Sequence, residues 1–407
     1  MAGGVVIVGS GQAGVQAAVS LRDGGFAGPV TIVGHERGLP YQRPPLSKAY
    51  LLGKMIGEQI LLKAATVYLD NDITLIDGVA VISVDRAAKS VKLEDRRSLP
   101  YDQLILATGA RQRTLDVPGA ELDGVHFLRT LADADALMAR IDGVRRAVVV
   151  GAGFIGLEFA AVARTKGIEV VIVEVAPRPM GRALSAEMAG FFEQRHIEWG
   201  SSFLFGASVT HFLGKGQVSG VQLSDGVTIT ADHVLVGVGV IPNDELAAAA
   251  DLDVADGILV DQYLQTSDPA IFAIGDCARH PNRFCTDSTA RIESVQNATD
   301  QGRSVAARIF GGEQPYDAIP WFWSDQGTLK LQIAGVGTGH DITVVRGDPG
   351  SGAFSVFCFT GDRLVAVESV NRGPDHIMAR RLIAAGNCVS PAEVADERIP
   401  LRSLLAR

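Results

Sequence analysis

Two stretches of the chain repeat one pattern of apolar and polar positions. In each stretch, a short β-branched apolar run leads into a glycine-rich turn, then a helical segment, then a second apolar run. The first stretch has its apolar runs at 5–8 and 30–33, and the second has them at 147–150 and 170–173. Apolar runs without polar alternation are typical of parallel strands that are covered on both faces. Each stretch is therefore predicted to be a strand–helix–strand unit.

The rest of the chain supplies domain junctions and a different final pattern. Apolar strands at 104–109 and 234–242 run into glycines and indicate places where the chain leaves one domain and enters another. After residue 320, short alternating strands such as 354–359 precede a helical segment at 375–385. The predicted fold class is α/β, with two Rossmann-like dinucleotide-binding domains and a small α+β C-terminal domain.

Both glycine-rich turns have the GxGxxG spacing, with a strand before, a helix after, and an acidic residue after the next strand. Glycines permit a tight turn and a close backbone approach, and the helix N-terminus offers free N–H groups to a pyrophosphate. A glycine-rich turn without a ligand is the alternative for either copy, but two copies together predict two bound dinucleotides. The predicted dinucleotide contacts in the turns are Gly9, Gly11, Gly14, Gly151, Gly153, Ile155 and Gly156.

The acidic residues after the second strands are predicted to bind ribose hydroxyls. Glu36 serves the first unit and Glu174 the second, each about 20 residues beyond its glycine turn. A carboxylate at Glu174 repels the 2'-phosphate of NADPH, so NADH is the predicted nicotinamide substrate. Arg178 stands close by and leaves three possibilities open: contact with a 2'-phosphate, contact with the NADH pyrophosphate, or a surface position.

Composition and charge exclude several classes of protein. A net charge of -9 over 407 residues argues against a nucleic-acid binder. The four cysteines form no CxxC pair and the histidines no metal-ligand spacing, so no metal site is predicted. No uncharged apolar run reaches the length of a membrane span, and an apolar strand begins within a few residues of Met1. We expect a cytoplasmic protein with no membrane contact.

Gly275 and Asp276 end an apolar strand in the segment 266–276. This segment resembles the second FAD signature of the large flavoprotein superfamily that binds two dinucleotides in a glutathione-reductase-like fold. In that superfamily the aspartate bonds the ribityl chain of FAD, and the resemblance implies this role for Asp276. An aspartate that caps the following helix is the alternative.

Three further segments narrow the resemblance: residues 39–48, residues 291–298 and the aromatic segment Trp321–Gln326. Together they resemble the oxygenase-coupled NADH:ferredoxin reductases, and the similarity runs from Val5 to the C-terminal region. The resemblance implies FAD contacts by Lys48, Val81, Arg129, Asp276 and Val295, with Trp323 near the flavin ring. It also implies cofactor contacts by Arg43, Ala107, Thr108, Gly109, Gly237 and Gly275. His35 departs from the family, which often has aspartate there, so Glu36 is expected to share the adenosine ribose contact.

Lys48, Glu158 and Trp323 are the candidate catalytic residues. Glu158 is expected on the first turn of the helix after the second glycine turn, near the nicotinamide, where Lys48 can pair with it. An exposed Lys48 and a Glu158 bonded elsewhere are the alternative. A helix beginning near Val295 can direct its N-terminal amides at reduced flavin. A packing role is the alternative for Trp323.

No cysteine occurs between Gly34 and Lys63, where disulfide reductases, peroxidases and oxidases of this superfamily carry their redox thiol. Electrons must therefore leave the flavin to an outside acceptor. The function that the resemblance implies is transfer from NADH through FAD, one electron at a time, to a 2Fe-2S ferredoxin that serves a haem-thiolate monooxygenase or a Rieske oxygenase. Rubredoxin reductase and an NADH-sensing flavoprotein of the apoptosis-inducing-factor type remain alternatives.

The length of the chain exceeds that of a single hydrophobic core. We expect FAD binding by residues 1–113 and 242–320, NADH binding by 114–241, and the α+β domain at 321–407.

Overall fold

The computed structural model describes residues 4–285, 288–386 and 389–406. The chain divides into two compact units. Unit 1 comprises Met1–Gln42, Gly57–Arg111 and Ile241–Pro320. Unit 2 comprises Arg43–Ile56, Gln112–Val240 and Trp321–Arg407. The expected division into FAD, NADH and C-terminal domains stays a prediction.

The helices and strands are numbered along the whole chain. The α-helices are α1 Gln12–Asp23, α2 Ala65–Asp70, α3 Leu131–Ile141, α4 Phe154–Thr165, α5 Ala186–Glu198, α6 Glu245–Ala248, α7 Val295–Ile309, α8 Gly373–Ala385 and α9 Pro391–Ala395. The strands are β1 Val5–Val8, β2 Val30–Val33, β3 Ile73–Ile76, β4 Val81–Asp85, β5 Ser90–Leu93, β6 Ser98–Pro100, β7 Gln103–Leu106, β8 Ala110–Gln112, β9 Val125–His126, β10 Arg146–Val150, β11 Glu169–Glu174, β12 Ser201–Phe205, β13 Val209–Lys215, β14 Gln217–Leu223, β15 Thr228–Thr230, β16 His233–Val236, β17 Val240–Pro242, β18 Ile258–Leu259, β19 Ile271–Ala273, β20 Ala278–Pro281, β21 Thr289–Arg291, β22 Trp321–Gln326, β23 Leu329–Gly335, β24 Ile342–Asp348, β25 Ala353–Thr360 and β26 Arg363–Val370.

Unit 1 is built on a parallel sheet with the strand order β19-β7-β1-β2-β3. Val5 on β1 lies opposite Val30 on β2 and Gln103 on β7, so the strands end together at one edge. The strands are mostly apolar, and their buried side chains share one core with those of α1 and α7, which pack against each other. Two small sheets, β4-β5-β6 and β18-β20-β21, complete this unit.

Unit 2 contains a second parallel sheet with the order β12-β11-β10-β16-β9. Its β10 lies opposite β11 with Ala147 beside Val170, as β1 lies beside β2 in unit 1. The antiparallel sheet β13-β14-β15 belongs to the same unit. The predicted strand–helix–strand repeat is therefore confirmed in both copies, as β1-α1-β2 and β10-α4-β11.

The C-terminal part of unit 2 is an antiparallel sheet with the order β22-β23-β26-β25-β24. Helix α8 packs against β23 and β26, which gives the predicted α+β architecture. The helix begins at Gly373, two residues before the predicted start, because Pro374 fits the first helical turn, where no N–H is needed. Strand β22 of this sheet also packs against α4.

Residues 43–56 connect two parts of unit 1 in sequence but pack within unit 2. Their short 3₁₀-helix, Pro44–Ser47, contacts α3 and α4. The hydroxyl of Tyr50 anchors this segment to α3 by donating to Asp135 Oδ1 at 2.5 Å. Burial, with help from the hydrogen bond and the negative charge of Asp135, raises the pKa of Tyr50 to about 12, so this hydroxyl stays a donor at neutral pH. The segment that carries Lys48 is thus fixed to unit 2.

Candidate functional site

The first glycine turn follows β1 and separates packing glycines from an open one. A Cβ at Gly9, whose φ is +118°, would lie 2.0 Å from the carbonyl oxygen of Ala107. A Cβ at Gly14 would lie 2.1 Å from the carbonyl oxygen of Gly9. A Cβ at Gly11, by contrast, would meet nothing within 4 Å. The outer glycines therefore permit the strand-to-helix packing, and the middle one leaves the backbone open to a ligand.

The second glycine turn follows β10 and repeats this arrangement. A Cβ at Gly151, with φ of +100°, would lie 2.4 Å from the carbonyl oxygen of Gly237, and one at Gly156 would lie 2.2 Å from that of Gly151. The nearest atom to a Cβ at Gly153 is 4.0 Å away. Glycine is also the N-cap of both α1 and α4, so no N-cap side chain covers their first N–H groups. Both turns fit the pyrophosphate of a dinucleotide, as the sequence predicts. Ile155 lies in the first turn of α4.

Each unit places a carboxylate at or shortly beyond the end of the strand that follows its glycine turn. In unit 1 Glu36 is half-buried and accepts from the Tyr41 hydroxyl, whereas His35 is exposed. In unit 2 Glu174 accepts from the backbone N–H of Ala152 at 2.7 Å and of Ala176 at 2.8 Å. Each carboxylate oxygen accepts more than one hydrogen bond, so both groups retain capacity for ribose hydroxyls.

Arg178 lies a short distance beyond Glu174. Its side chain is half-buried and folds back so that Nη2 donates to the carbonyl oxygen of Gly181 at 3.2 Å. The Nε atom is buried and has no partner among the described residues. A freely solvated arginine is therefore the least suitable of the three possibilities left open by the sequence.

The second predicted FAD signature forms a tight strand-to-helix junction in unit 1. Gly275, with φ of +77°, donates its N–H to Gln301 Oε1 on α7 at 2.7 Å. Asp276 lies inside the 3₁₀-helix Gly275–Cys277 and not at its N-cap, so the capping alternative is wrong. Helix α7 begins at Val295 as predicted, with its N-cap Ser294 accepting from the N–H of Asn297 at 3.0 Å.

The other predicted cofactor positions lie at strand ends or in adjoining loops of their units. In unit 1, Thr108 and Asn243 exchange hydrogen bonds of 2.6 and 2.8 Å just beyond β7. In unit 2, Arg43 Nη1 donates to the carbonyl oxygen of Arg129 at 2.7 Å, which joins the Lys48 segment to the residues before α3. The remaining positions are Val81, which begins β4, Ala107 and Gly109 beyond β7, and Gly237 beyond β16.

Lys48 and Glu158 form the predicted ion pair. Lys48 Nζ lies 2.6 Å from Glu158 Oε2, with side-chain exposures of 18% and 4%. Glu158 lies on the second turn of α4, not on the first as predicted, because the helix begins at Phe154. Its carboxylate also accepts from Ser47 Oγ at 2.5 Å and from Ser324 Oγ at 2.7 Å. The three donors stabilise this carboxylate, because a buried charge without partners would cost free energy.

Ser47 and Ser324 are partners of Glu158 that were not predicted from the sequence. Both lie inside segments that carried the family resemblance, and Ser324 alternates with Trp323 along β22. In the structure Ser324 is buried while Trp323 is half-buried on the opposite face, but the sequence of β22 alone does not show which of its faces meets α4. The Trp323 ring lies 5.7 Å from that of Trp321 and 6.5 Å from that of Phe322, centroid to centroid.

The thiols form no redox pair among the described residues. Cys277 and Cys358 are free and buried, and burial raises the pKa of both thiols. Cys285 is half-buried, and Cys388 lies outside the described residues. The described part of the chain holds no group of three or more His, Cys, Asp or Glu side chains that could bind a metal. Within the same residues, no helix is long and apolar enough to cross a membrane.

Comparison with known proteins agrees with the two dinucleotide cradles. Residues 3–302 match the family model of pyridine nucleotide-disulphide oxidoreductases. The chain belongs to this family. Residues 321–405 match a second model, described as the reductase C-terminal domain, over the antiparallel sheet and its helices.

Relatives match the chain over nearly its full length. Rhodocoxin reductase from Rhodococcus erythropolis is 50% identical over 99% of this chain and 94% of its own. The crystal structure of a ferredoxin reductase from Rhodopseudomonas palustris has 47% identity and a TM-score of 0.96, with 98% of each chain covered. The covalent putidaredoxin reductase–putidaredoxin complex has 40% identity and a TM-score of 0.96, covering 99% of this chain and 98% of that one. The family resemblance that the sequence motifs carried is thereby confirmed.

Proposed function

We propose that this chain is an FAD-dependent NADH:ferredoxin reductase that passes electrons from NADH through FAD to a 2Fe-2S ferredoxin. The observation that carries the proposal is the pair of glycine cradles, each with an open middle glycine and a strand-end carboxylate. Two cradles hold two dinucleotides, as a reductase that joins a nicotinamide to a flavin requires. The relatives named above, reductases by their names, support the same reaction.

Unit 1 supplies the residues for FAD. The turn 9–14 would receive its pyrophosphate, Glu36 its ribose, and Asp276 its ribityl chain. When bound, FAD accepts a hydride from NADH and releases the electrons singly. Helix α7, which starts at Val295, directs the positive end of its dipole toward its N-terminus and favours negative charge there.

Unit 2 supplies the residues for NADH. The turn 151–156 would receive its pyrophosphate, and Glu174 its adenosine ribose. We propose that Lys48 contacts the flavin and that Glu158 holds it in place, because the carboxylate fixes the ammonium group at 2.6 Å. Trp323 is proposed as the aromatic neighbour of the flavin, since part of its surface is exposed on β22.

The electron acceptor must come from outside the chain. The segment between Gly34 and Lys63 contains no cysteine, so it offers no thiol to carry electrons away. A small iron-sulfur protein accepts single electrons, and we propose that its own acceptor is a haem-thiolate monooxygenase or a Rieske oxygenase. This reaction needs no membrane or nucleic acid, and a cytoplasmic location is proposed with it.

Steady-state and stopped-flow measurements on the holoenzyme test this function. NADH is mixed with the reductase and, in separate assays, with 2Fe-2S ferredoxins of P450 and Rieske systems, with rubredoxin, and with ferricyanide. We expect rapid ferredoxin reduction by NADH. Faster reduction of rubredoxin than of every ferredoxin would make the chain a rubredoxin reductase. Slow reoxidation by all of these proteins, with a long-lived reduced state that keeps NAD bound, would instead identify an NADH sensor.

A further inference from the structure

A chain of buried polar side chains leads from Glu158 to His196 inside unit 2. Ser324 Oγ lies 2.7 Å from Glu158 Oε1, and Gln326 Nε2 lies 3.3 Å from Ser324 Oγ. Gln326 Oε1 lies 2.8 Å from His196 Nε2. Ser324, Gln326 and His196 are each fully buried, at 0% exposure. This row of hydrogen-bonded side chains therefore leads from the Lys48–Glu158 pair into the interior of the unit.

The strand period explains why the chain forms. Ser324 and Gln326 are two residues apart on β22, so their side chains point to the same face. That strand packs against α4, which carries Glu158. His196 comes from the last turn of α5 and completes the row.

The carboxylate fixes the direction of every hydrogen bond in the chain. A carboxylate only accepts, so Ser324 must donate to Glu158 and use its own oxygen to accept from Gln326. The Gln326 amide nitrogen therefore faces Ser324, and it also contacts Met180 Sδ at 3.7 Å. The amide oxygen is left to face His196, which must donate from Nε2.

His196 is suited to this role. Burial lowers the pKa of its imidazole to about 4, although the hydrogen bond that it donates to Gln326 opposes this shift, so the ring is neutral at neutral pH. A neutral ring has one N–H, and the direction of the chain places it on Nε2. The Nδ1 atom is buried and has no hydrogen-bond partner among the described residues, as expected for the unprotonated nitrogen of a ring held by one bond.

We propose that Ser324, Gln326 and His196 are positioning residues that hold the Glu158 carboxylate against Lys48 and thereby set the rate of flavin reduction by NADH. Every dipole in the row points its positive end toward the carboxylate, and aligned hydrogen bonds in a low-dielectric interior strengthen one another. Without Ser324, the carboxylate loses its donor on the Oε1 side and is free to turn away from Lys48. This inference rests on the proposed role of Lys48 and Glu158.

The first test compares Ser324→Ala with Ser324→Thr in stopped-flow reduction of the holoenzyme by NADH. We expect the limiting rate to fall by about tenfold in Ser324→Ala, the worth of one hydrogen bond to a charged acceptor. The Kd for NADH should change less than about twofold, because a group that acts on the reacting geometry affects rate more than binding. Ser324→Thr should recover most of the rate, since it keeps the hydroxyl. Gln326→Met, which removes the amide and keeps the volume, should also slow reduction.

The matched control is Ser355→Ala, which removes another fully buried serine hydroxyl from the same sheet. Ser355 forms hydrogen bonds with Ser369 and Asp375 and has no part in the hydrogen-bonded row from Glu158 to His196. It should lower the melting temperature without changing the limiting rate. Equal rates in wild type, Ser324→Ala and Gln326→Met would overturn the positioning role.

A double-mutant cycle separates this inference from the proposed function. If Lys48→Met slows flavin reduction, Ser324→Ala should add little in that background, because both changes remove one unit. Additive effects would overturn the inference alone. If Lys48→Met leaves the limiting rate unchanged, the proposed role of Lys48 fails first, whatever Ser324→Ala does.

A second readout needs no turnover. In protein labelled with ¹⁵N-histidine, the His196 signal, identified by its loss in His196→Gln, should show the neutral ring protonated on Nε2. This holds with or without NADH. A ring protonated on Nδ1 would be inconsistent with the direction of the hydrogen bonds from His196 to Glu158 and would overturn the proposal. A charged imidazolium at neutral pH would overturn it as well.

Discussion

Glu174 at the end of β11 accepts a hydrogen bond of 2.7 Å from the backbone N–H of Ala152 inside the second glycine turn. Glu174, which is proposed to bind the ribose, therefore also stabilises the turn 151–156, which is proposed to bind the pyrophosphate. Recognition of the nucleotide and the shape of the turn are coupled through one carboxylate.

The double substitution Glu174→Ala with Val175→Arg should shift preference from NADH toward NADPH. It removes a carboxylate that repels a 2'-phosphate and adds a positive partner at Val175, which is 68% exposed and has room for a long side chain. We expect the NADPH to NADH ratio of kcat/KM to rise about tenfold or more, equal to about 1.4 kcal/mol.

The control for this change is Glu169→Ala, at the exposed start of the same strand, which should leave the ratio unaltered. If the double variant keeps the wild-type ratio, Glu174 does not contact the ribose.

The two kinds of glycine in the second turn should respond differently to alanine. Gly153→Ala has space for its Cβ and an ordinary φ of -79°, so it should fold with near wild-type stability but bind NADH at least about tenfold more weakly, because the methyl occupies the cradle. Gly156→Ala places Cβ 2.2 Å from the carbonyl oxygen of Gly151 and should cost about 1–3 kcal/mol of stability by overpacking.

Thermal unfolding and NADH titration, measured on both variants, separate these effects. Tight NADH binding by Gly153→Ala would remove the open glycine from the binding site.

Changing Cys277 or Cys285 to serine should leave NADH-dependent dye reduction within about twofold of wild type, because neither thiol carries electrons. The serine hydroxyl at position 277 can donate to the carbonyl oxygen of Ile274, as the Cys277 thiol does at 3.3 Å. The assay is ferricyanide reduction with NADH. Loss of flavin reduction in either folded variant would contradict the thiol-free route.

At pH values below the ordinary pKa of histidine, the free energy of unfolding should depend on the protonation of His233. His233 is buried, its ring stacks on that of His126 with centroids 4.5 Å apart, and burial, with repulsion from His126 and Arg140, lowers its pKa from 6.5 to about 3. The unfolded chain binds this proton near pH 6.5 and the folded chain only near pH 3. The folded state therefore loses stability relative to the unfolded state as the pH falls from 6.5 to about 3, and it keeps that stability above pH 6.5.

Replacing His233 with phenylalanine removes the titrating group and keeps a ring for the stack. Relative to wild type, the melting temperature of His233→Phe should rise steadily from pH 6.5 downward, within the window set by the two pKa values. Parallel curves for the two proteins across that range would show that His233 does not titrate on unfolding.

The sequence predicted the parts of the site that depend on local pattern. Strand, glycine turn and helix are adjacent in the chain, so the cradles at Gly11 and Gly153 could be placed from spacing alone, whereas the start of α7 at Val295 was predicted with help from the family resemblance. The Lys48–Glu158 pair was predicted only with help from the family resemblance. Ser324 escaped notice because its contact depends on which face of β22 meets α4, and such long-range packing leaves no period in the sequence of one strand.

The placement of residues 43–56 in unit 2 has a consequence for protein engineering. Three separate stretches of sequence meet in one polar cluster, since Lys48, Glu158 and Ser324 come from the segments that begin at 43, 112 and 321. In a chimera that takes only residues 112–240 from a homologue, the residue at position 158 comes from the homologue, whereas Lys48 and Ser324 come from this protein. Productive recombinants should therefore inherit all three stretches from one parent, although two of them lie outside the exchanged segment.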